Sequence, residues 1–169
     1  MTAAQDVANT LSVGAYEFDH PQMIRARRLW ADLLARGGEL SPGDEELVTY
    51  MHVDAIRDRL MADVINPYAW DQEEYDDLFR GALQPDAEML KRMKAATIAC
   101  QQLSREVEEA DQPPMLMITA MCQWLTINTD VALMGAKIAL KIDPEFRLAQ
   151  LMVTMIQRGL QPAWLTRRQ

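Results

Sequence analysis

Apolar residues recur at spacings of three and four along nearly the whole chain, the period of an amphipathic helix. Met23, Ala26, Trp30, Leu33 and Leu34 form one such stripe, while Arg25, Arg28 and Asp32 take the other side. His20-Pro21 opens this helix, with Pro21 suited to its first position, and Gly37-Gly38 stops it. Ser41-Pro42-Gly43-Asp44 starts a second segment, with Ser41 as cap and Asp44, Glu45 and Glu46 at the positive end of the helix dipole. Its apolar face is Leu47, Val48 and Met51. After Asp54 the period resumes through Ile56, Leu60, Val64 and Ile65, and the pattern fits either a break or a continuous path at Val53-Asp54. Asn66-Pro67 ends the run.

Asp71-Gln72-Glu73-Glu74 has the form of a capping box and leads a short helix through Tyr75, Leu78, Phe79 and Leu83. Pro85-Asp86 restarts the chain. Good helix formers then run to about Glu109, with Met89, Met93, Ala96, Cys100 and Leu103 in register. Gln112-Pro113-Pro114 is the next stop. Met115–Ile127 is apolar almost all round, the signature of a central helix. Asn128-Thr129-Asp130 caps a helix holding Val131, Met134, Ile138 and Ile142. Asp143-Pro144-Glu145 starts a last one, with Leu148, Leu151, Met152, Met155 and Ile156, which ends at Arg158-Gly159 ahead of Pro162. Leu11–Phe18 could be extended, but one strand cannot form a sheet alone. The pattern therefore predicts an all-α fold, a compact bundle of seven or eight short antiparallel helices. Residues 1–20 are expected to be a flexible arm and 21–165 a single helical domain.

Residues 113–146 also fit the tetratricopeptide register. With Pro144 at the closing proline, Ala120, Ala132, Ala136 and Ala139 fall where two helices cross. Small side chains are what let helices approach to about 8 Å. Ala120 and Gln123 stand where that repeat has its first-helix glycine and aromatic residue. A tetratricopeptide-like hairpin or a generic helical hairpin both satisfy the pattern, and a stable array would need about three repeats.

Composition narrows the class. At 169 residues and 19.2 kDa, 49% hydrophobic and 25% charged, the chain has the make-up of one globular domain. The net charge of −8 repels a phosphate backbone, which argues against direct nucleic-acid binding. That charge is uneven: residues 39–112 hold eighteen acids and seven bases, net −11, and residues 113–169 hold three acids and six bases, net +3. The first twenty residues lack the early base and apolar run of an export signal. The most apolar stretch, Met115–Ile127, is 13 residues, short of the roughly 20 that span a bilayer. A cytoplasmic protein without a membrane partner is expected. Cys100 and Cys122 have no C-x-x-C spacing and read as apolar fillers in a reducing compartment.

Several groups could carry chemistry. Asp71, Glu74 and Asp77 fall along one side of a helix and are the metal candidates, although the calcium-loop glycine is missing. Side-by-side helical carboxylates more simply make a solvated face. Arg57-Asp58, near His52 and Asp54, is the best polar cluster, either a carboxylate grip or an inter-helix salt bridge. His52 is followed at i+4 by Ile56, so no local carboxylate pairing is implied for it. Nucleophile-elbow, phosphate-loop and zinc spacings are absent, and no cofactor is expected. Arg25, Arg27, Arg28 and Arg36 make a basic face beside Trp30 that could meet an acidic partner or phosphate. Twelve methionines stand where about four are usual. Met115, Met117, Met121, Met134, Met152 and Met155 all fall in the last third and, with Trp124, are either core filler or the lining of an adaptable apolar groove.

From Leu40 to Trp164 the chain resembles the C-terminal half of an actinobacterial family known as domain of unknown function 4192. The resemblance rests on Leu40, Ser41, Glu45 and Glu46 leading to Arg57-Asp58, then on Ala120 and Trp124 in an apolar helix. Asp143-Pro144-x-x-Arg147-Leu148-Ala149, Arg158-Gly159-Leu160 and Pro162-x-Trp164 complete it. The chain is too short for the strand-rich N-terminal half of that family, and Asn128-Thr129-Asp130 replaces its glycine-rich corner. The resemblance thus implies a free-standing or divergent helical half from an actinobacterium or its phage, and it brings no activity. The functional expectation is a non-enzymatic protein–protein interaction module, with a homo-oligomer left open. The alternatives are a divalent-metal enzyme on the Asp71–Asp77 carboxylates and an acidic mimic of nucleic-acid backbone that binds a basic partner.

Overall fold

The computed structural model describes residues 20–69 and 72–166. Among them the chain is all-α, without strands. The helices are α1 (Pro21–Ala35), α2 (Glu46–Met51), α3 (Asp54–Ile65), α4 (Gln72–Phe79), α5 (Ala87–Arg105), α6 (Pro113–Leu125), α7 (Thr129–Ile142), α8 (Arg147–Gln157) and α9 (Ala163–Thr166). A 3-10 turn, Glu109–Asp111, precedes α6. That is more than the seven or eight helices the pattern predicts. The chain breaks at Val53, which is extended at φ −97° and ψ 112°, so α2 and α3 are separate. The short α9 beyond Pro162 is the other addition. The predicted arm (all but His20), the Leu11–Phe18 segment and Asp71 of the capping box lie outside the described residues.

Local chemistry sets most boundaries as the sequence requires. His20 caps α1, its Nδ1 accepting from the Gln22 amide at 3.2 Å, and Asp86 caps α5 by accepting from the Met89 amide at 2.8 Å. At the end of α1 the Gly38 amide donates to Leu33 and the Gly37 amide to Leu34, the paired bonds of a Schellman stop. Gly38 is needed twice over: its φ is +86°, and a Cβ there would lie 2.1 Å from the Ala95 carbonyl oxygen of α5. Three caps differ from expectation, one being Asn128, which precedes α7 without a side-chain cap bond. Ser41 does not cap α2; its amide donates to Asp44 at 2.7 Å, and the helix proper starts at Glu46. Asp143 closes a turn by accepting from the Glu145 amide, so α8 begins only at Arg147.

Two layers share one core. In the first, α1, α3 and α5 pack on each other, and the fully buried Trp30 of α1 donates its Nε1–H to the Leu60 carbonyl of α3 at 3.0 Å. The second is the α6–α7–α8 series, joined to the first where α6 meets α5 and α3. The helix predicted to be central, α6, is buried on most sides, including Met115, Met117, Ile118, Met121 and Trp124. Its pairing with α7 is the most extensive among the described residues and uses the predicted small residues, with Ala120, Ala132, Ala136 and Ala139 all buried. The C-terminal segment then packs on the turn after α4 and on the end of α6. Ala163 and Trp164 amides donate to the Arg80 and Gly81 carbonyls, and Trp164 Nε1 donates to Leu125 at 3.1 Å.

Among the described residues one non-glycine position is strained. Ile127, between α6 and α7, has φ +67°, a region where a β-branched side chain crowds its own backbone. It does the work that glycine does at Gly37 and Gly159. Because Ile127 is 43% exposed, little packing is lost on removing its side chain. Ile127→Gly is therefore expected to stabilise the fold by about 0.5–1 kcal/mol, the relief of strain exceeding the added unfolded-state entropy. Urea melts of the wild type, Ile127→Gly and Ile127→Ala check this: only the glycine variant should gain.

Candidate functional site

The polar residues that hold the first layer together also shape a concavity on its surface. Arg59 (1% exposed) and Asp63 (6% exposed) lie one turn apart on α3. Arg59 Nε donates to Asp63 Oδ1 at 3.0 Å, and its Nη1 donates to the Ala69 carbonyl at 2.7 Å. From α1, Arg27 grips the same carboxylate through Nε at 2.7 Å and Nη2 at 3.0 Å, and also reaches the Pro67 carbonyl. The Arg59 guanidinium lies 5.9 Å from the centre of the Tyr75 ring of α4. One carboxylate thus binds two guanidinium groups, which in turn fix the turn after α3. Arg92 of α5 completes that corner, donating from Nε to Val64 at 2.8 Å and from Nη2 to Ile65 at 2.7 Å. These carbonyls end α3, where free acceptors and the negative dipole end favour a cation.

Between α1, the start of α5 and the Pro67–Tyr68 corner lies a cleft of about 570 Å³. Its walls are mostly apolar, from Ile24, Ala31, Leu34, Pro67 and Tyr68, and its charged lining comprises Arg27, Arg28, Lys91 and Arg92 against Asp63 and Glu88. A concavity of this volume suits a small molecule.

The predicted basic face of α1 is divided by this arrangement. Arg28 and Trp30 line the cleft, whereas Arg25 is turned away and held by Glu46 at 2.6 and 2.7 Å. That bond keeps the Glu46 carboxyl below its usual range, and burial, helped by Glu46, pushes the Tyr50 phenol up to about 12. Arg36 is likewise tied to the buried Asp44. Arg57 and Asp58 are bound to each other, at 3.0 and 2.8 Å, with Arg57 Nη1 also donating to Asp54 at 2.8 Å. The guanidinium sits 5.4 Å from the centre of the Phe146 ring, pinning the second layer to α3. Burial raises the Asp58 carboxyl despite Arg57 beside it. This pair is therefore occupied within the fold and offers no free grip for a partner's carboxylate. His52 finds its acid far along the chain, with Nε2 3.4 Å from Asp111.

The methionine groove needs correction. Met117, Met121, Met152 and Trp124 are buried and fill the space between helices, and Met155 is partly buried against the same core. Trp124 Nε1 donates inward to Leu160 at 3.3 Å. Among the described residues the exposed methionine is Met134 of α7, and its neighbours explain why. The buried residues of α7 are its alanines, and the large residues Val131 (51% exposed), Met134 (60%) and Ile138 (43%) face away. They border a groove against α5 and α6 whose floor includes Leu116, Thr119 and Gly135, with Arg105 on its rim. Lys137 and Lys141 flank the other side of the same residues. Apolar residues at i, i+3 and i+7 with flanking lysines form a stripe that has no covering element among the described residues.

Among the described residues the carboxylate alternative is not assembled. Asp71 lies outside the described residues, Glu74 is exposed, and Asp77 is paired with Arg80. Among the described residues no three metal-binding side chains converge. Cys100 and Cys122 are free and buried, and burial pushes the Cys122 thiol up to about 12 and raises that of Cys100 as well. Among the described residues no helix is long and apolar enough to cross a membrane. Comparison of the chain with protein-family models, curated proteins and solved structures finds no match.

Proposed function

We propose that the chain is a non-enzymatic protein–protein interaction module whose docking face is the outward side of α7. Its occupant is an amphipathic helix of a partner protein, with acidic residues flanking the apolar stripe. The observation that carries this reading is the inverted helix: α7 buries Ala132, Ala136 and Ala139 while Val131, Met134 and Ile138 stand in solvent. Exposing large apolar residues costs roughly 25 cal/mol for every Å² left in water, a cost a partner would remove. Charge selects the partner. Lys137, Lys141 and Arg105 surround the stripe and make no ion pair among the described residues, with Asp130 the one nearby acid in its lining. A second copy meeting this face symmetrically would set lysines against lysines, so an acidic partner is favoured over a homodimer. A tetratricopeptide-like character for the α6–α7 hairpin is compatible with such docking. The relation to the helical half of the domain of unknown function 4192 family, and a cytoplasmic setting in an actinobacterium or its phage, belong to the same proposal.

The test uses two designed amphipathic helices with the same leucine stripe, one flanked by Glu and one by Lys. The Glu-flanked peptide is expected to bind saturably by fluorescence anisotropy, to weaken as salt rises, and to lose about tenfold or more in affinity to Met134→Asp. Equal binding of the Lys-flanked peptide, or none of either, would overturn the assignment. A concentration-dependent dimer in sedimentation, abolished by Met134→Asp, would give the face to a second copy instead.

A further inference from the structure

We propose that the cleft between α1, α5 and the Pro67–Tyr68 corner is a binding site for a small amphiphilic organic anion, an apolar body carrying one carboxylate or phosphate head. The apolar part follows from the walls. Ile24 and Tyr68, 42% and 76% exposed, stand beside Ala31, Leu34 and Pro67, so an alkyl or ring system entering the cleft would cover side chains now in contact with water. The volume of about 570 Å³ accommodates one such molecule and not a macromolecule.

The anionic head follows from how each charge is used. Arg27 is held by Asp63, which it shares with Arg59. Arg28 and Lys91 make no ion pair among the described residues, and both are exposed at the cleft. Arg92 is different again: its Nε and one Nη2 hydrogen are fixed on the Val64 and Ile65 carbonyls, partners that orient the guanidinium without cancelling its charge. Glu88 is the one lining acid not engaged by Arg27. The cleft is thus locally positive on a chain of net charge −8, and one of its cations is already held in place before a ligand arrives. A neutral amphiphile would gain only the apolar contact, and a cationic one would be repelled. The site shares no lining residue with the α7 face, so the two proposals fail separately.

Isothermal titration of the full chain with decanoate, decyl phosphate, decanol and inorganic phosphate tests the assignment. One-site binding of either amphiphilic anion is expected, weakened by salt, and the tighter of the two identifies the head group. The Arg28→Glu/Lys91→Glu variant, changed only at exposed positions, should bind roughly tenfold or more weakly with its thermal melt unchanged. Ala31→Trp, which fills the cleft from an exposed position of α1, should abolish binding. Decanol binding as tightly as the anions, inorganic phosphate matching decyl phosphate, no saturable binding by either anion, or unchanged affinity in both variants would overturn it.

Discussion

Asp63→Ala is expected to destabilise the protein by about 3–5 kcal/mol, far more than the loss of an ordinary hydrogen bond. The carboxylate is the shared acceptor of Arg27 and Arg59, and Arg59 is 1% exposed. Removing it takes away the carboxylate that Arg27 and Arg59 share, at a place where Arg59 has almost no access to water. The effect should spread, because the same arginines hold the Ala69 and Pro67 carbonyls that shape the chain between α3 and α4. Two further variants separate the charge from the packing. Asp63→Asn keeps an acceptor but loses the charge and should fall between the wild type and alanine. The Arg59→Met/Asp63→Leu pair removes the most buried charge together with the carboxylate, leaves Arg27 with partial access to water, and should recover part of the loss. Denaturant unfolding followed by circular dichroism measures all three. An alanine variant within about 1 kcal/mol of the wild type would mean that Arg59 finds other solvation and that the network is not a structural centre.

How far the sequence reveals this network shows where local pattern stops being informative. Arg59 and Asp63 are one helical turn apart and could be paired from sequence alone. Arg27, however, is brought to them from another helix, and nothing in its neighbourhood distinguishes it from Arg25 or Arg28 on the same basic face. The structure sends the three to different ends: Glu46 for Arg25, the buried Asp63 for Arg27, and the open cleft for Arg28. The cleft itself needs α1, α5 and the Pro67–Tyr68 corner together, and such a juxtaposition leaves no local trace.

Helix α7 teaches a related lesson about periodicity. It carries two stripes of helical spacing, Val131-Met134-Ile138 and Ala132-Ala136-Ala139, and hydrophobicity alone favours burying the first. Close approach decides otherwise. The alanines, with Gly135 set against Ala120, let α7 lie close on α6, and the larger side chains are then turned outward. The methionines fail as groove markers for a similar reason: thioethers at core spacing and at groove spacing have the same pattern, and Met117, Met121 and Met152 take the core. By contrast the apolar face of α1 and its two ends are legible because they depend on residues within a few positions of each other. Proline, the His20 cap and the Gly37-Gly38 stop act before any tertiary contact does.

The apolar counterpart to Asp63 is Trp30, and Trp30→Ala is expected to cost about 3–5 kcal/mol. The indole is fully buried between α1 and α3, and its Nε1–H satisfies the Leu60 carbonyl at 3.0 Å. Truncation leaves a cavity bounded by helices that are pinned by Arg27 and Arg92, so the surroundings cannot collapse cheaply into the space. Trp30→Phe isolates the terms, because most of the packing remains while the hydrogen bond is lost; it should cost roughly 1–3 kcal/mol. Trp124→Ala, in the core of the second layer, is expected to lose a similar 3–5 kcal/mol through a different neighbourhood, since Trp124 bonds to Leu160 beyond α8. Pairing Trp30→Ala with Asp63→Ala distinguishes one cooperative centre from two. Both residues join α1 to α3, so their losses should combine less than additively, whereas Asp63→Ala with Trp124→Ala should be close to additive. Additive losses for the first pair would show that the ionic and apolar contacts between α1 and α3 act independently.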